Sequence, residues 1–316
     1  MAEPKLNYVQ CPDATGGHRM AYWEWGEATA GHVIVCALGL SRQGRDFDVL
    51  AQALVDKSGG TVRVVCPDVV GRGMSDWLKD PTLYQVPTYV ADMLALLAQL
   101  KPITLDWLGT SMGGLIGIGV CNALHAAAAA QNAATPSGGS PAQTSASAVV
   151  RKLVLNDVGP VIQWESIVRI GTYLGRNMEF DSLQAAADAM WSISTSFGPH
   201  TPAQWLELSR HMVKPASDGA PGVRLHYDPA IAVAVRAVTP EAAVQGEAML
   251  WYLYDAITAP TLLLRGADSD LLAPATAMQM TQRGPKAQLV EFAGVGHAPT
   301  LMAADQVDAV TSFLLP

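Results

Sequence analysis

The chain has 316 residues, half of them hydrophobic, and a formal charge of −8. That length suits one large α/β domain or two small ones and allows a sizeable core, while the acidic balance and the lack of a basic patch exclude a nucleic-acid partner. No apolar run approaches the ~18 residues of a bilayer-spanning helix, and Met1-Ala2-Glu3-Pro4-Lys5 has neither the charge nor the apolar follow-on of a signal peptide.

The four cysteines, Cys11, Cys36, Cys66 and Cys121, form no Cys-x-x-Cys pair. They read as buried free thiols in a reducing, cytoplasmic setting, with no metal site and no cofactor expected.

In chain order, 5–11 and 18–25 read as two strands joined at Thr15-Gly16-Gly17. The run 32–38 is continuously apolar, as in a parallel strand buried on both faces, and ends in Gly39-Leu40-Ser41-Arg42. A helix is expected over 44–55, a strand over 62–66 and a helix over 86–99. A further strand, 103–108, runs into Gly109-Thr110-Ser111-Met112-Gly113-Gly114, and a small-residue helical run follows.

Strand, sharp turn and helix around Gly-x-Ser-x-Gly is the context of a nucleophile elbow, in which glycines allow a strained serine to stand clear at a helix N-terminus. The alternative is an ordinary Gly-rich turn carrying an incidental serine.

Residues 126–148 hold an alanine tract followed by Ser, Gly, Pro, Gln and Thr, with no charge, and read as a low-complexity loop or frayed helix end. The strand pattern resumes at 151–157 and ends at Val158-Gly159-Pro160. From 161 to 245 the strand–helix alternation stops. Helices are expected over 161–176, 181–196, 202–213 and 240–256. This block reads as a helical cap over the sheet's C-terminal edge, flanked by core segments 1–160 and 246–316. Its Trp164, Trp191 and Trp251 are candidates to line an acyl pocket, or else form the block's own small core. The alternation returns with a strand at 261–265, a loop through Asp268 and Asp270, a helix over 273–283, a strand over 287–292, the loop Gly294-Val295-Gly296-His297 and a closing helix over 300–314.

A serine hydroxyl becomes a useful nucleophile when an imidazole, held in one tautomer by an acid, takes its proton. Serine, acid and histidine in that chain order, each after a strand, is what an elbow of this kind requires. Ser111 and His297 fill two places. Asp270, Asp268 and Asp157 all qualify for the third, and the two not used would be solvated or capping carboxylates. Backbone amides of Met112 and Leu40 are the expected oxyanion donors. Arg42 either meets a substrate carboxylate or pairs with a nearby aspartate to fix its loop, as Arg45 and Arg72 also can.

These stretches resemble the α/β-hydrolase superfamily, and within it a bacterial group of serine hydrolases. The resemblance rests on 39–47, on Pro67-Asp68-Val69-Val70-Gly71-Arg72-Gly73-Met74-Ser75-Asp76-Trp77, on the elbow, on 155–160, on 265–272 and on Gly296-His297-Ala298-Pro299. It implies a mostly parallel eight-stranded sheet flanked by helices, with a helical cap inserted after the sixth strand. The shared Arg-Gly-x-x-Ser-Asp-x-Leu stretch selects Asp270 as the acid. Leu38 stands where the family usually has histidine, which implies a differently set oxyanion loop.

The implied activity is hydrolysis of a small-molecule carboxylic ester through an acyl-serine, in a monomer or homodimer, with short hydroxyalkanoate esters or oligomers as one substrate class. The same triad supports carbon–carbon bond hydrolysis of a diketone-like substrate. A reading from another class is a small-molecule receptor that keeps the triad and uses cap motion as its output. Haloalkane dehalogenation would need a carboxylate where Ser111 stands.

Overall fold

The computed structural model describes residues 3–134, 149–216 and 221–315. Strands β1 (Lys5–Cys11) and β2 (His18–Trp25) form a hairpin, followed by β3 (His32–Ala37), α1 (Asp48–Lys57), β4 (Val62–Pro67), α2 (Val86–Leu100), β5 (Thr104–Thr110), α3 (Met112–Ala134) and β6 (Val150–Asn156). The inserted block holds α4 (Trp164–Tyr173), β7 (Glu179–Phe180), α5 (Leu183–Ser192), α6 (Pro202–Arg210), β8 (Val213–Pro215), β9 (Val223–Leu225), α7 (Ile231–Arg236) and α8 (Pro240–Asp255). The chain finishes with β10 (Thr261–Gly266), α9 (Pro274–Met280), β11 (Gln288–Phe292) and α10 (Ala304–Leu314).

Eight strands form one sheet in the order β1-β2-β4-β3-β5-β6-β10-β11. Only β1 with β2 and β2 with β4 are antiparallel; every other pairing is parallel. The central strands β3, β5, β6 and β10 are nearly wholly buried, which explains their unbroken apolar runs. Two cores result. One, on the face covered by α2, α3 and α8, is centred on Trp107, Ile116, Met93 and Tyr254; the other, beneath α1 and α10, on Phe47, Leu50, Leu54 and Leu314.

The structure bears on the sequence reading in four places. The cap contains a small three-stranded sheet, ordered β7-β9-β8, mostly in the intervals between the expected helices; strands of two or three residues are too short to display a period of two. Helix α8 runs unbroken across residue 245 and is tied to the core by Tyr254 Oη donating to Met280 O at 2.7 Å and by Asn122 Nδ2 donating to Leu253 O at 2.9 Å. The boundary expected at 245 thus lies within one continuous helix.

Residues 126–134 of the low-complexity stretch continue α3, and the rest of that stretch, 135–148, lies outside the described residues. Finally, Met112–Ala133 is long and apolar enough to cross a membrane, contrary to the expectation that no such run exists. Half of that window is buried inside the fold, which fits the interior helix of a packed sheet protein.

Candidate active site

Ser111 sits alone between the end of β5 and the start of α3, with φ +54°. A left-handed backbone costs a non-glycine residue roughly 1–2 kcal/mol, so the surroundings must hold it there. Two glycines make that possible. A Cβ on Gly109 would lie 2.2 Å from Gly113 O, and one on Gly113 would lie 2.0 Å from Ala37 O. Strand, turn and helix therefore close to a distance that no side chain permits. The Ser111 amide donates to Asn156 O at 2.9 Å, fastening the turn to β6.

His297 follows β11 on the loop toward α10. Its Nε2 lies 3.0 Å from Ser111 Oγ, and its Nδ1 lies 2.7 Å from Asp157 Oδ2. The loop is fixed on several sides: the Gly296 amide donates to Ser196 O of the cap at 2.5 Å, and Asn156 Nδ2 donates to Pro299 O at 2.8 Å. His200 Nε2 also comes within 2.9 Å of Thr300 Oγ1.

Asp157 directly follows β6 and is fully buried. Its Oδ1 accepts from the Gly266 amide at 3.0 Å and its Oδ2 from Ser269 Oγ at 2.6 Å. A buried carboxylate with these donors accepts from the imidazole, which assigns the proton to Nδ1 and leaves Nε2 free to accept from the serine hydroxyl.

Asp270, the acid expected from the sequence, is not at this position. It is half-exposed and pairs with Arg169 on α4. Arg169 holds its carboxyl below the usual range. Asp268 is exposed as well. The cause lies in the path of the chain after β10. At Gly266 the backbone passes so close to the histidine loop that a Cβ there would lie 2.3 Å from Gly296 O. In the loop that follows, Asp268 and Asp270 are exposed, whereas the part-buried Ser269 donates its hydroxyl to Asp157 Oδ2. Both Ser269 and Asn156 were missed as contributors. The signal for Ser269 was its place inside the stretch that carried the two competing aspartates.

The loop after β3 crosses the nucleophile: a Cβ on Gly39 would lie 3.3 Å from Ser111 Cβ. This brings Leu40 beside the elbow, while the Met112 amide, first in α3, has no intrahelical acceptor. Leu38 is buried in the core beneath α1 and α10. Arg42 pairs with Asp46, donates to Leu208 O at 3.3 Å and stacks over Phe197 at 5.7 Å, so it bonds the loop to itself and to the cap.

The three tryptophans have other company. Trp191 packs edge-on against Trp205 at 5.0 Å within a cap cluster that includes Phe197 and His200. Trp251 lies under Arg283 at 4.1 Å and against Tyr254 at 5.8 Å. Trp164, with Ile167, Val168, Val235 and Arg236, lines an open recess of about 480 Å³ between α4 and α7, which Ser111, His297 and Asp157 do not line.

Among the described residues, Cys11, His18 and Asp92 bring possible metal donors within 4.8 Å of one another. These groups already have partners. His18 Nδ1 lies 2.8 Å from Asp13 Oδ2 and its Nε2 3.0 Å from Asp92 Oδ2, and Cys11 Sγ contacts Asp92 O at 3.9 Å. We therefore read the cluster as an internal ion-pair network.

Residues 33–310 match the pattern of the Alpha/beta hydrolase family. Over 314 residues, 99% of this chain and 98% of the relative, the sequence is 46% identical to a 3-hydroxybutyrate-oligomer hydrolase of Cupriavidus necator. The solved structure of an alpha/beta hydrolase from Novosphingobium aromaticivorans superposes with a TM-score of 0.78 at 32% identity, covering 99% of each chain.

Proposed function

Because the chain belongs to the alpha/beta hydrolase family, we propose that it is a serine hydrolase of carboxylic esters, with short hydroxyalkanoate oligomers as its substrate class. The observation that carries this reading is the unbroken line Ser111 Oγ, His297 Nε2, His297 Nδ1, Asp157 Oδ2, with separations of 3.0 and 2.7 Å at its two hydrogen bonds. Ser111 Oγ attacks the ester carbonyl carbon while Nε2 takes its proton. The imidazolium, stabilised by Asp157, then protonates the leaving alkoxide. Water, deprotonated by the same nitrogen, releases the acid from the acyl-serine. The amides of Leu40 and Met112 receive the oxyanion of both tetrahedral intermediates. The full-length likeness to the Cupriavidus necator enzyme supports the substrate class, since a hydroxybutyrate oligomer is a chain of carboxylic esters.

The test is hydrolysis of 3-hydroxybutyrate dimer and trimer, followed by release of monomer, beside p-nitrophenyl esters of increasing length. Repeated turnover of the oligomers that disappears in Ser111→Ala is the expected result. Full activity in that variant overturns the mechanism, and turnover of p-nitrophenyl esters alone overturns the substrate class.

A further inference from the structure

Arg72 is completely buried, and among the described residues no carboxylate pairs with it. A cation removed from water without an anion is expensive, so its retention calls for a reason. Its partners supply one. Nε donates to Leu40 O at 2.8 Å, and Nη2 reaches Met112 Sδ at 3.7 Å. Nη1 donates to Val70 O at 2.6 Å and to Tyr89 Oη at 3.1 Å, and the guanidinium lies over the rings of Tyr89 and Tyr84 at 5.0 and 5.8 Å. Its fork thus joins the Leu40 carbonyl and the Met112 thioether, atoms of the two residues whose amides are the oxyanion donors of the reading above.

The backbone of the same loop is the cap's landing strip. Arg72 forms an isolated antiparallel bridge with Tyr227, the Gly73 amide donates to His226 O at 3.0 Å, and the Asp228 amide donates to Gly71 O at 2.7 Å. Tyr84, the ring beneath the guanidinium, donates its hydroxyl to Asp228 Oδ2 at 2.6 Å.

We propose that Arg72 is the positioning residue of the oxyanion hole: its planar fork clamps Leu40 and Met112 from behind, and its loop ties that clamp to the seating of the cap. The proposal rests on the ester-hydrolase reading. A guanidinium suits the task because its donors are fixed in one plane, so the two residues it touches are held relative to each other. Its uncompensated charge, in an interior that screens poorly, also favours the negative oxygen of the intermediate.

The test uses the full chain with Arg72→Met, which keeps much of the volume and removes fork and charge. Activity is measured per competent site, titrated with a fluorophosphonate, so that misfolded molecules do not count. On 3-hydroxybutyrate dimer we expect kcat to fall about 10²-fold, the scale of a small misplacement of catalytic groups, with little change in KM. Inhibition by butylboronic acid, whose serine adduct places an oxygen in the hole, weakens in parallel. A purely structural role would lower the titrated fraction and leave kcat per site unmoved, and that result overturns the proposal. Should Arg72→Met not fold, Asp228→Asn loosens the cap's hold on the loop while leaving Arg72 in place. A smaller fall in kcat with parallel weakening of the boronate is expected there, and wild-type values for both are the overturning outcome. Ser111→Ala separates the two readings. If it is inactive while Arg72→Met is normal, only the clamp fails; if Ser111→Ala is active, the underlying hydrolase reading fails.

Discussion

Asp157 and His297 stand 140 positions apart in the chain and 2.7 Å apart in the fold. The pairing follows from β6 and β10 lying side by side, with the histidine loop returning across their ends after β11. The first prediction concerns which aspartate serves the imidazole. Asp157→Asn should lower kcat about 10⁴-fold, the scale of losing the carboxylate that fixes the histidine tautomer. Asp270→Asn breaks only a half-exposed ion pair, so kcat should stay near wild type and stability should change by less than ~1 kcal/mol. Steady-state kinetics on the hydroxybutyrate dimer decide it, and the reverse ranking would return the role to Asp270.

Ser269→Ala removes the hydroxyl that donates to Asp157 Oδ2 at 2.6 Å. A hydrogen bond to a charged group is worth ~1.5–3 kcal/mol, so kcat should drop by about tenfold or more while the fold persists. A variant with unchanged kcat would show that the Gly266 amide and His297 suffice to hold the carboxylate.

Gly113→Ala should be unable to keep the elbow as it stands. The new methyl would lie 2.0 Å from Ala37 O, a backbone atom that cannot swing away as a side-chain end can. Relief requires separating α3 from β3, at a cost of at least ~1–3 kcal/mol, and displacing Ser111 with it. Reduced melting temperature together with lost activity is expected. By contrast, Gly246→Ala, on the exposed side of α8 where a Cβ meets nothing within 4 Å, should stabilise the helix by up to ~1 kcal/mol.

The buried His18 network predicts a pH effect on stability distinct from any effect on catalysis. Burial pushes the His18 pKa down, but hydrogen bonds and charge from Asp92 and Asp13 outweigh it and the net shift is upward. The folded state therefore binds this proton more tightly than the unfolded chain does. The stabilisation is complete below the ordinary histidine value of ~6.5 and fades as pH rises through the raised value. His18→Gln should cost more stability at pH 6 than at pH 9 in urea unfolding. An equal cost at both would mean that His18 is not charged between its two aspartates.

Much of this architecture could be read directly from the chain. The continuous apolar runs at 32–37 and 104–108 announce strands buried on both faces, and the glycines around Ser111 announce the elbow. His297 was legible because a histidine after the last strand, before a helix, has few other uses in this pattern. Asp157 was harder to single out. The sequence shows three aspartates after two strands, and what separates them is tertiary: the histidine loop comes back against the end of β6, where Asp157 stands, while Asp268 is exposed and Asp270 pairs with Arg169 of the cap. Arg72 was hidden for a similar reason. An arginine in a loop usually finds a carboxylate, and nothing local reveals that this one is surrounded by carbonyls, a sulfur and two tyrosine rings, drawn from its own loop and from the stretches around Leu40, Tyr84–Tyr89 and Met112. The cap strands went unseen because strands that short carry no periodic signature.

Ser111, His297 and Asp157 all stand on core segments, outside the insertion between Pro160 and Thr239. The reaction machinery is thus a chassis and the inserted block an attachment bolted onto it. Transplanting a different block between those two joints should retune which esters are admitted without rewiring the proton path. The graft must bring its own counterparts of Ser196 and of the 226–228 segment, because the first holds the His297 loop and the second touches the chassis where Arg72 enters it.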